Sequence, residues 1–97
     1  MKPFQRRDMI ERLIRERFKS GVDVLNAEFV AAYAKSSGAK LSIMAYGAHS
    51  CPQLGADLSD MHKAGRLTRK RVGVPESDGA GLPRWKFIYQ IKETTND

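Results

Sequence analysis

The chain contains a single cysteine, Cys51, and only two histidines among its 97 residues. One thiol cannot form an internal disulfide, which is typical of proteins kept in a reducing cytosol, so we expect a cytoplasmic location. Long apolar runs are also missing, since no stretch approaches the roughly 20 residues needed to span a bilayer. The N-terminus lacks the uninterrupted apolar segment of a signal peptide. These absences predict that no membrane is involved.

The motifs of common enzyme and metal sites are missing as well. His49 and Cys51 lie two residues apart with His62 beyond them, but a zinc site needs four ligands at a recognised spacing. No third residue is placed to orient a Cys–His nucleophile pair. Gly79 and Gly81 lack the strand–loop–helix context and the following lysine of a phosphate-binding loop. We therefore predict a protein that is not an enzyme and has neither metal nor cofactor.

The composition predicts one small basic domain. The chain carries a net charge of +6 and is 41% hydrophobic, and its pI is about 9.8. A chain of this length supports one small core, which we assign to residues 1–92, with 93–97 as a flexible tail. The excess of positive charge favours polyanions, with nucleic acid ahead of an anionic membrane surface.

The first half of the chain predicts two helices. Apolar residues at helical spacing predict a helix over residues 4–19 that ends at Gly21. Its arginines alternate with acidic residues at i,i+4 spacing, and this pattern favours a solvated, salt-bridged face over direct phosphate binding. Asn26 is the predicted N-cap of a second helix, which Gly38 stops. Residues 22–25 could form one short strand-like pairing.

A third helix is predicted between Pro52, which suits a first turn, and Gly65, which closes it. The apolar stripe that should face the core is Leu54, Leu58 and Met61. Ser50 or Cys51 is the expected cap. The preceding residues 39–49 are compatible either with a strand or with an apolar connector packed under the domain.

The outward residues of this third helix have two interpretations. Gln53, Ser59 and Lys63 should point away from the core. Gln53 could read an adenine edge, and Lys63 could hold a phosphate or a guanine. Asp57 and Asp60 favour an ordinary surface helix, because carboxylates repel phosphate unless they orient an arginine or accept from a cytosine amine.

Two strands follow the third helix. Residues 67–74 predict the first, residues 76–83 a Gly/Pro-rich hairpin tip, and the alternating aromatic residues after it the second. We expect Leu67, Trp85, Phe87 and Ile91 to join the helical stripe in the core. Truncation of Trp85 to alanine should then cost about 3–5 kcal/mol.

Cations crowd on and beside these strands. The candidates for phosphate contact are Arg69, Lys70, Arg71, Arg84 and Lys86. A basic strand is often just a solvated edge that prevents aggregation. Here it follows a candidate reading helix directly, and this order favours phosphate contacts, which position a protein on a duplex.

The order of these elements resembles the winged helix-turn-helix superfamily. The resemblance is carried by QLGADLSDMHKAGRLTRKRVG at residues 53–73 and PRWKFIYQI at residues 83–91, and it spans nearly the whole chain. It implies an α+β fold of three helices and a two-stranded β-hairpin wing, with the third helix in the major groove and the wing along the backbone or minor groove. The interval from Gly38 to Ser50 is longer than the family's usual turn.

The resemblance implies a function in sequence-specific binding of double-stranded DNA, as a small transcriptional or replication regulator like those of phages. Gln53, Ser59 and Lys63 would then be groove contacts. Two alternatives stay open: a winged-helix adaptor for a protein partner such as an acidic host factor, and an RNA-binding module, which exposed Tyr or Trp surfaces would favour. A homodimer also stays open.

Overall fold

The described residues fold as an α+β structure with three α-helices and two small antiparallel sheets, and the α+β class and the three helices are as the sequence predicted. A computed structural model describes residues 1–74 and 82–92. Its elements are α1 (Pro3–Arg17), β1 (Val22–Asp23), α2 (Ala27–Ser37), β2 (Ser42–Ile43), β3 (His49–Ser50), α3 (Pro52–Lys63), β4 (Leu67–Gly73) and β5 (Trp85–Ile91). The sheet orders are β1-β5-β4 and β2-β3. Residues 76–81 of the predicted tip at 76–83, and the whole predicted tail at 93–97, lie outside the described residues.

Local signals account for the ends of α2. The Asn26 side chain accepts a hydrogen bond of 3.0 Å from the Phe29 backbone N–H, as expected of an N-cap. Gly38 follows the helix in the left-handed conformation, with φ of 77°, and its N–H donates to the Ala34 carbonyl. Both predicted boundaries of α2 are therefore confirmed.

The turn after α1 depends on a glycine. The helix ends at Arg17, two residues before the predicted end, and Gly21 lies in the turn into β1 with φ of 115°. A Cβ at Gly21 would approach Ile88 Cγ2 to 2.6 Å. Only glycine fits here, because β1 lies directly against β5 and the backbone conformation disfavours any side chain.

Residues 39–49 form part of a small hairpin. Ser42 pairs with Ser50 and Ile43 with His49 across β2 and β3, and a 3-10 turn at Ala45–Gly47 joins them. The strand interpretation is correct for β2, whereas the apolar side chains of Ile43 and Tyr46 point into solvent and do not pack under the domain.

The core lies where α1, α2 and α3 meet the inner half of the larger sheet. Its buried side chains are Ile10, Ile14, Val22, Phe29, Val30, Tyr33, Cys51, Leu54, Leu58, Met61, Leu67 and Tyr89. The predicted stripe of α3 and the predicted burial of Leu67 are confirmed. Phe87 and Ile91 are partly buried and pack against this cluster.

The prediction that Trp85 belongs to the core is wrong. Trp85 is 45% exposed. It lies at the outer end of β5, opposite Gly73, whereas Ile91 at the inner end pairs with buried Leu67. A seven-residue strand extends about 23 Å at 3.3 Å per residue, so its apolar face runs past the helices that cover its inner end. The large cost expected for truncating Trp85 no longer follows.

Two glycines of the sheet should respond differently to alanine. Gly21→Ala forces a side chain onto Ile88 at a positive φ, and we expect it to lower the free energy of unfolding by about 2–3 kcal/mol. Gly73→Ala is the control, since a Cβ there meets no described atom within 4 Å and φ is not positive. It should be neutral or slightly stabilising. Urea unfolding followed by circular dichroism measures both, and equal stability of the two variants would contradict the assignment of the Gly21 turn.

Candidate functional site

A buried carboxylate joins the three helices. Asp57 on α3 is only 2% exposed. Arg6 of α1 donates to it from Nε at 2.8 Å and from Nη2 at 3.1 Å, and the Tyr33 hydroxyl of α2 donates at 2.7 Å. The expectation that an acid of the third helix orients an arginine is met by Asp57, which lies on the inner side of that helix.

The protonation states of this group suit a structural ion pair. Burial alone would raise the pKa of Asp57, but hydrogen bonds from Arg6 and Tyr33 hold it below its ordinary value. The hydrogen bond to Asp57 raises the pKa of Arg6. Burial, aided by the bond to Asp57, raises the pKa of Tyr33 to about 12. At neutral pH the group therefore holds a carboxylate, a guanidinium and an un-ionised phenol.

Most arginines of the helical body are also neutralised. The pairs are Arg7 with Asp60 at 3.1 Å, Arg15 with Glu11 at 3.0 Å, Arg17 with Glu28, and Arg66 with Glu11 and with Asp8 at 3.1 Å. The hydrogen bond to Glu11 is the main reason that the pKa of Arg66 is raised. The predicted salt-bridged face of α1 is therefore present, and it extends to α2, α3 and the start of β4.

The outward face of α3 is open to solvent. Gln53 and Lys63 are exposed and Ser59 is half-buried. Asp60 shares this side of the helix, with its side chain 51% exposed, but its charge is paired with Arg7. The three predicted groove contacts thus lie on an accessible helix surface whose carboxylates already have cationic partners.

Most cations of the hairpin formed by β4 and β5 differ from the paired arginines of the helical body. Arg69, Lys70, Arg71 and Arg84 are exposed, and no described carboxylate lies within 4.0 Å of their charged groups. Lys86 is the exception among the five predicted phosphate contacts, because its Nζ lies 3.0 Å from Asp23 Oδ2 of β1. Its ammonium group holds β5 to β1.

The strand register places two arginines beside the aromatic residues. Arg71 pairs with Phe87 and Gly73 with Trp85, so these positions share one face of the sheet with Arg69. The Arg69 guanidinium carbon lies 4.0 Å from the centre of the Phe87 ring.

The second arginine extends this arrangement outward. The Arg71 guanidinium carbon lies 5.2 Å from the Trp85 ring centre, and the Trp85 and Phe87 rings meet edge to face at 5.0 Å. We call Arg69, Arg71, Trp85 and Phe87 the aromatic–arginine face.

Sequence reasoning did not find this face. The alternation of aromatic residues in β5 indicated a buried side, and Trp85 was assigned to the core on that basis. Arg69 and Arg71 are likewise two residues apart in β4, so they lie on one face of that strand. This spacing is the sequence signal that the two cations share a face with the aromatic residues. That signal becomes informative only once the pairing register is known, because a shift by one residue would move both arginines to the opposite face.

A second exposed apolar feature lies at the tip of the small hairpin. Tyr46 is 76% exposed and has φ of 58° and ψ of 30°, a left-handed conformation that is uncommon for a residue other than glycine. Ile43 beside it in the hairpin is similarly exposed. The hairpin is attached to the body by a hydrogen bond of 3.0 Å from His49 N–H to the Leu25 carbonyl.

Comparison with protein-family models, with curated proteins and with solved structures found no match to this chain. Within residues 1–74 and 82–92, no three His, Cys, Asp or Glu side chains come together as metal ligands. Cys51 is buried at the start of α3, away from solvent. None of the described helices is both long enough and apolar enough to cross a membrane.

Among the ion pairs of the helical body, the Asp57 pair should be the one whose loss lowers the free energy of unfolding most. Asp57→Asn keeps the shape but leaves Arg6, which is 17% exposed, without its charge partner, and we expect a loss of about 3 kcal/mol in the free energy of unfolding. Asp60→Asn on the same helix is the matched control and should cost about 1 kcal/mol or less, because that pair is exposed.

The pH dependence gives the same test a second readout. Because the folded pKa of Asp57 is lowered, its stabilisation is complete above the unfolded value of about 3.9 and is lost as the pH falls through the folded value. The stability difference between the parent and Asp57→Asn should therefore be constant from neutral pH to about 5 and shrink below about 4. Denaturant titrations across this pH range measure the difference. Equal losses of stability in Asp57→Asn and Asp60→Asn would show that the Asp57 pair contributes no more than the exposed pair.

Proposed function

We propose that this chain is a winged helix-turn-helix domain that binds double-stranded DNA and serves as a small transcriptional or replication regulator. The order of three helices followed by the β4–β5 hairpin supports the proposal, since the superfamily combines three helices with a two-stranded wing. β1 pairs with β5 and thereby fixes the hairpin to the helical body. The small β2–β3 hairpin occupies the interval between the second and third helices.

The observation that carries the proposal is the contrast between paired arginines on the helices and exposed cations without a described partner on the hairpin. Arg6 and Arg7 of α1 are paired with Asp57 and Asp60 of α3, whereas Arg69, Lys70, Arg71 and Arg84 of the β4–β5 hairpin have no described carboxylate partner within 4.0 Å. A basic surface without internal counterions attracts a polyanion and releases its condensed counterions on binding. Four exposed cations thus lie together on the hairpin, where the wing would follow the DNA backbone.

The outward side of α3 supports its assignment as the helix that enters the major groove. Its small residues Ala56 and Ser59 allow close approach to DNA, with Gln53 and Lys63 available for contacts to bases or phosphates. Repulsion between phosphate and the acids of this helix is reduced, because Asp57 is buried with Arg6 and Asp60 is paired with Arg7.

A protein adaptor is the second candidate function, and the β2–β3 hairpin favours it. Ile43 and Tyr46 expose apolar side chains at the tip of a short hairpin, which is the kind of surface that another protein can cover. A partner bound there would leave the β4–β5 hairpin accessible to an acidic surface.

Binding to duplex DNA should depend steeply on salt through the hairpin. Four available cations predict a log–log salt slope of about −3 to −4, at roughly −0.9 for each neutralised phosphate. Lys70→Ala combined with Arg84→Ala should reduce this slope by up to about two units and weaken all duplexes alike. Titration of labelled duplex DNA at several salt concentrations measures both effects.

The control removes the same charge elsewhere. Lys35→Ala combined with Lys40→Ala alters two exposed lysines, one in the last turn of α2 and one just after the helix, and should leave the slope unchanged. If the two double variants weaken binding equally, attraction is set by net charge alone. If the parent does not bind duplex DNA at low salt, the DNA-binding proposal is wrong and the adaptor function becomes the leading one.

The contribution of α3 should appear in specificity. On a site selected from randomised duplexes, Gln53→Ala should cost about 1–3 kcal/mol of binding free energy, with little effect on a scrambled duplex. Lys35→Ala again provides the control. Competition titration gives the ratio of the two affinities, and an unchanged ratio would mean that Gln53 does not read a base.

A further inference from the structure

Trp85 is a large aromatic side chain that the fold leaves at the surface. It lies on the outer half of β5 with almost half of its area exposed, although burial of so large an apolar ring would be favourable. Phe87 supports it from one side by an edge-to-face contact at 5.0 Å. The side chain is therefore held in place without being covered.

The charges around Trp85 match a phosphate-bearing ligand. Arg71 lies over the indole at 5.2 Å and Arg69 lies over Phe87 at 4.0 Å, so cations and rings alternate along the aromatic–arginine face. Aromatic side chains interleaved with cations are the pattern by which proteins hold single-stranded nucleic acid: the rings stack on bases and the cations track the phosphates.

Gly73 leaves space beside the indole. It stands directly across the strand pair from Trp85, and a Cβ built on it would meet no described atom within 4 Å. Its φ is not positive, so the backbone does not require glycine there. A glycine inside a strand weakens that strand and often marks a place where a ligand comes close.

From these three observations we propose that the aromatic–arginine face is a stacking site for an unpaired nucleobase, with Trp85 as the stacking surface and the space above Gly73 as its entrance. The base belongs to a single-stranded segment, because stacking inside a duplex covers both faces of every internal base and extruding one costs energy. The proposal rests on the nucleic-acid-binding function above, since the same hairpin is used, and it adds unpaired bases to the ligands of that hairpin.

Trp85 provides the direct readout, because it is the single tryptophan of the chain. Titration with single-stranded oligothymidylate should quench its fluorescence, whereas a long duplex, whose ends are few, should bind with little quenching. An oligouridylate arm distinguishes RNA from DNA as the source of the base, and polyphosphate controls for charge alone. Stronger quenching by oligouridylate would identify RNA as the source and would still support base stacking.

Two variants test the site from its two paired strands. Trp85→Ala removes the stacking surface, and Gly73→Val fills the space beside it while favouring the strand. Each should weaken binding of labelled oligothymidylate by about 5- to 150-fold, the range for loss of one stacked base, and change duplex affinity far less. Trp85→Phe should retain most of the affinity. Circular dichroism and thermal melting verify that each variant is folded.

The outcomes separate this inference from the function on which it rests. If the parent binds duplex DNA but oligothymidylate and oligouridylate do not quench Trp85, the stacking site is wrong and the duplex-binding function stands. The stacking site is equally refuted if Gly73→Val, shown to be folded, binds single strands like the parent. If neither single strands nor duplexes bind at low salt, the nucleic-acid function itself fails.

Discussion

The arrangement of this molecule depends on the buried carboxylate of Asp57. A charge removed from water must be paired and hydrogen-bonded, so the fold has to bring Arg6 of α1 and Tyr33 of α2 to one point on α3. This requirement sets how the helices face one another. It also determines which residues of α3 point outward, because the side that carries Asp57 and the apolar stripe is committed to the interior.

Further ion pairs attach the β4–β5 hairpin to the helices and to β1. Arg66 binds Glu11 and Asp8 at the entrance to β4, and Lys86 binds Asp23 at the contact between β5 and β1. These cations fasten the hairpin to the body and have little charge left to offer to a ligand. Farther out on the hairpin, Arg69, Lys70 and Arg71 are exposed, and the described part of the chain supplies no acidic partner within 4.0 Å of them.

The outer half of the hairpin combines this charge with aromatic surface because the strands are longer than the core that covers them. Near the helices, Leu67 and Tyr89 are buried, whereas Trp85 on the same face extends past the helices. One face of a single strand thus changes from buried core to exposed surface along its length. α3 and the hairpin therefore expose different chemical groups, with polar side chains on the helix and aromatic rings with guanidinium groups on the strands.

The sequence by itself determined the features that depend on neighbouring residues. The caps of α2 at Asn26 and Gly38, the apolar stripe of α3 and the two long strands follow from local propensity and periodicity, and so does the exposure of Gln53 and Lys63. The tertiary structure alone decided which partners each charge and ring would meet. Asp57 finds Arg6 across 51 positions of the chain, and Arg66 finds Glu11 across 55. The exposure of Trp85 depends on how far the helices cover β5, and the placement of Arg71 over its ring depends on strand register. Such contacts join residues far apart in the chain, so no local pattern encodes them.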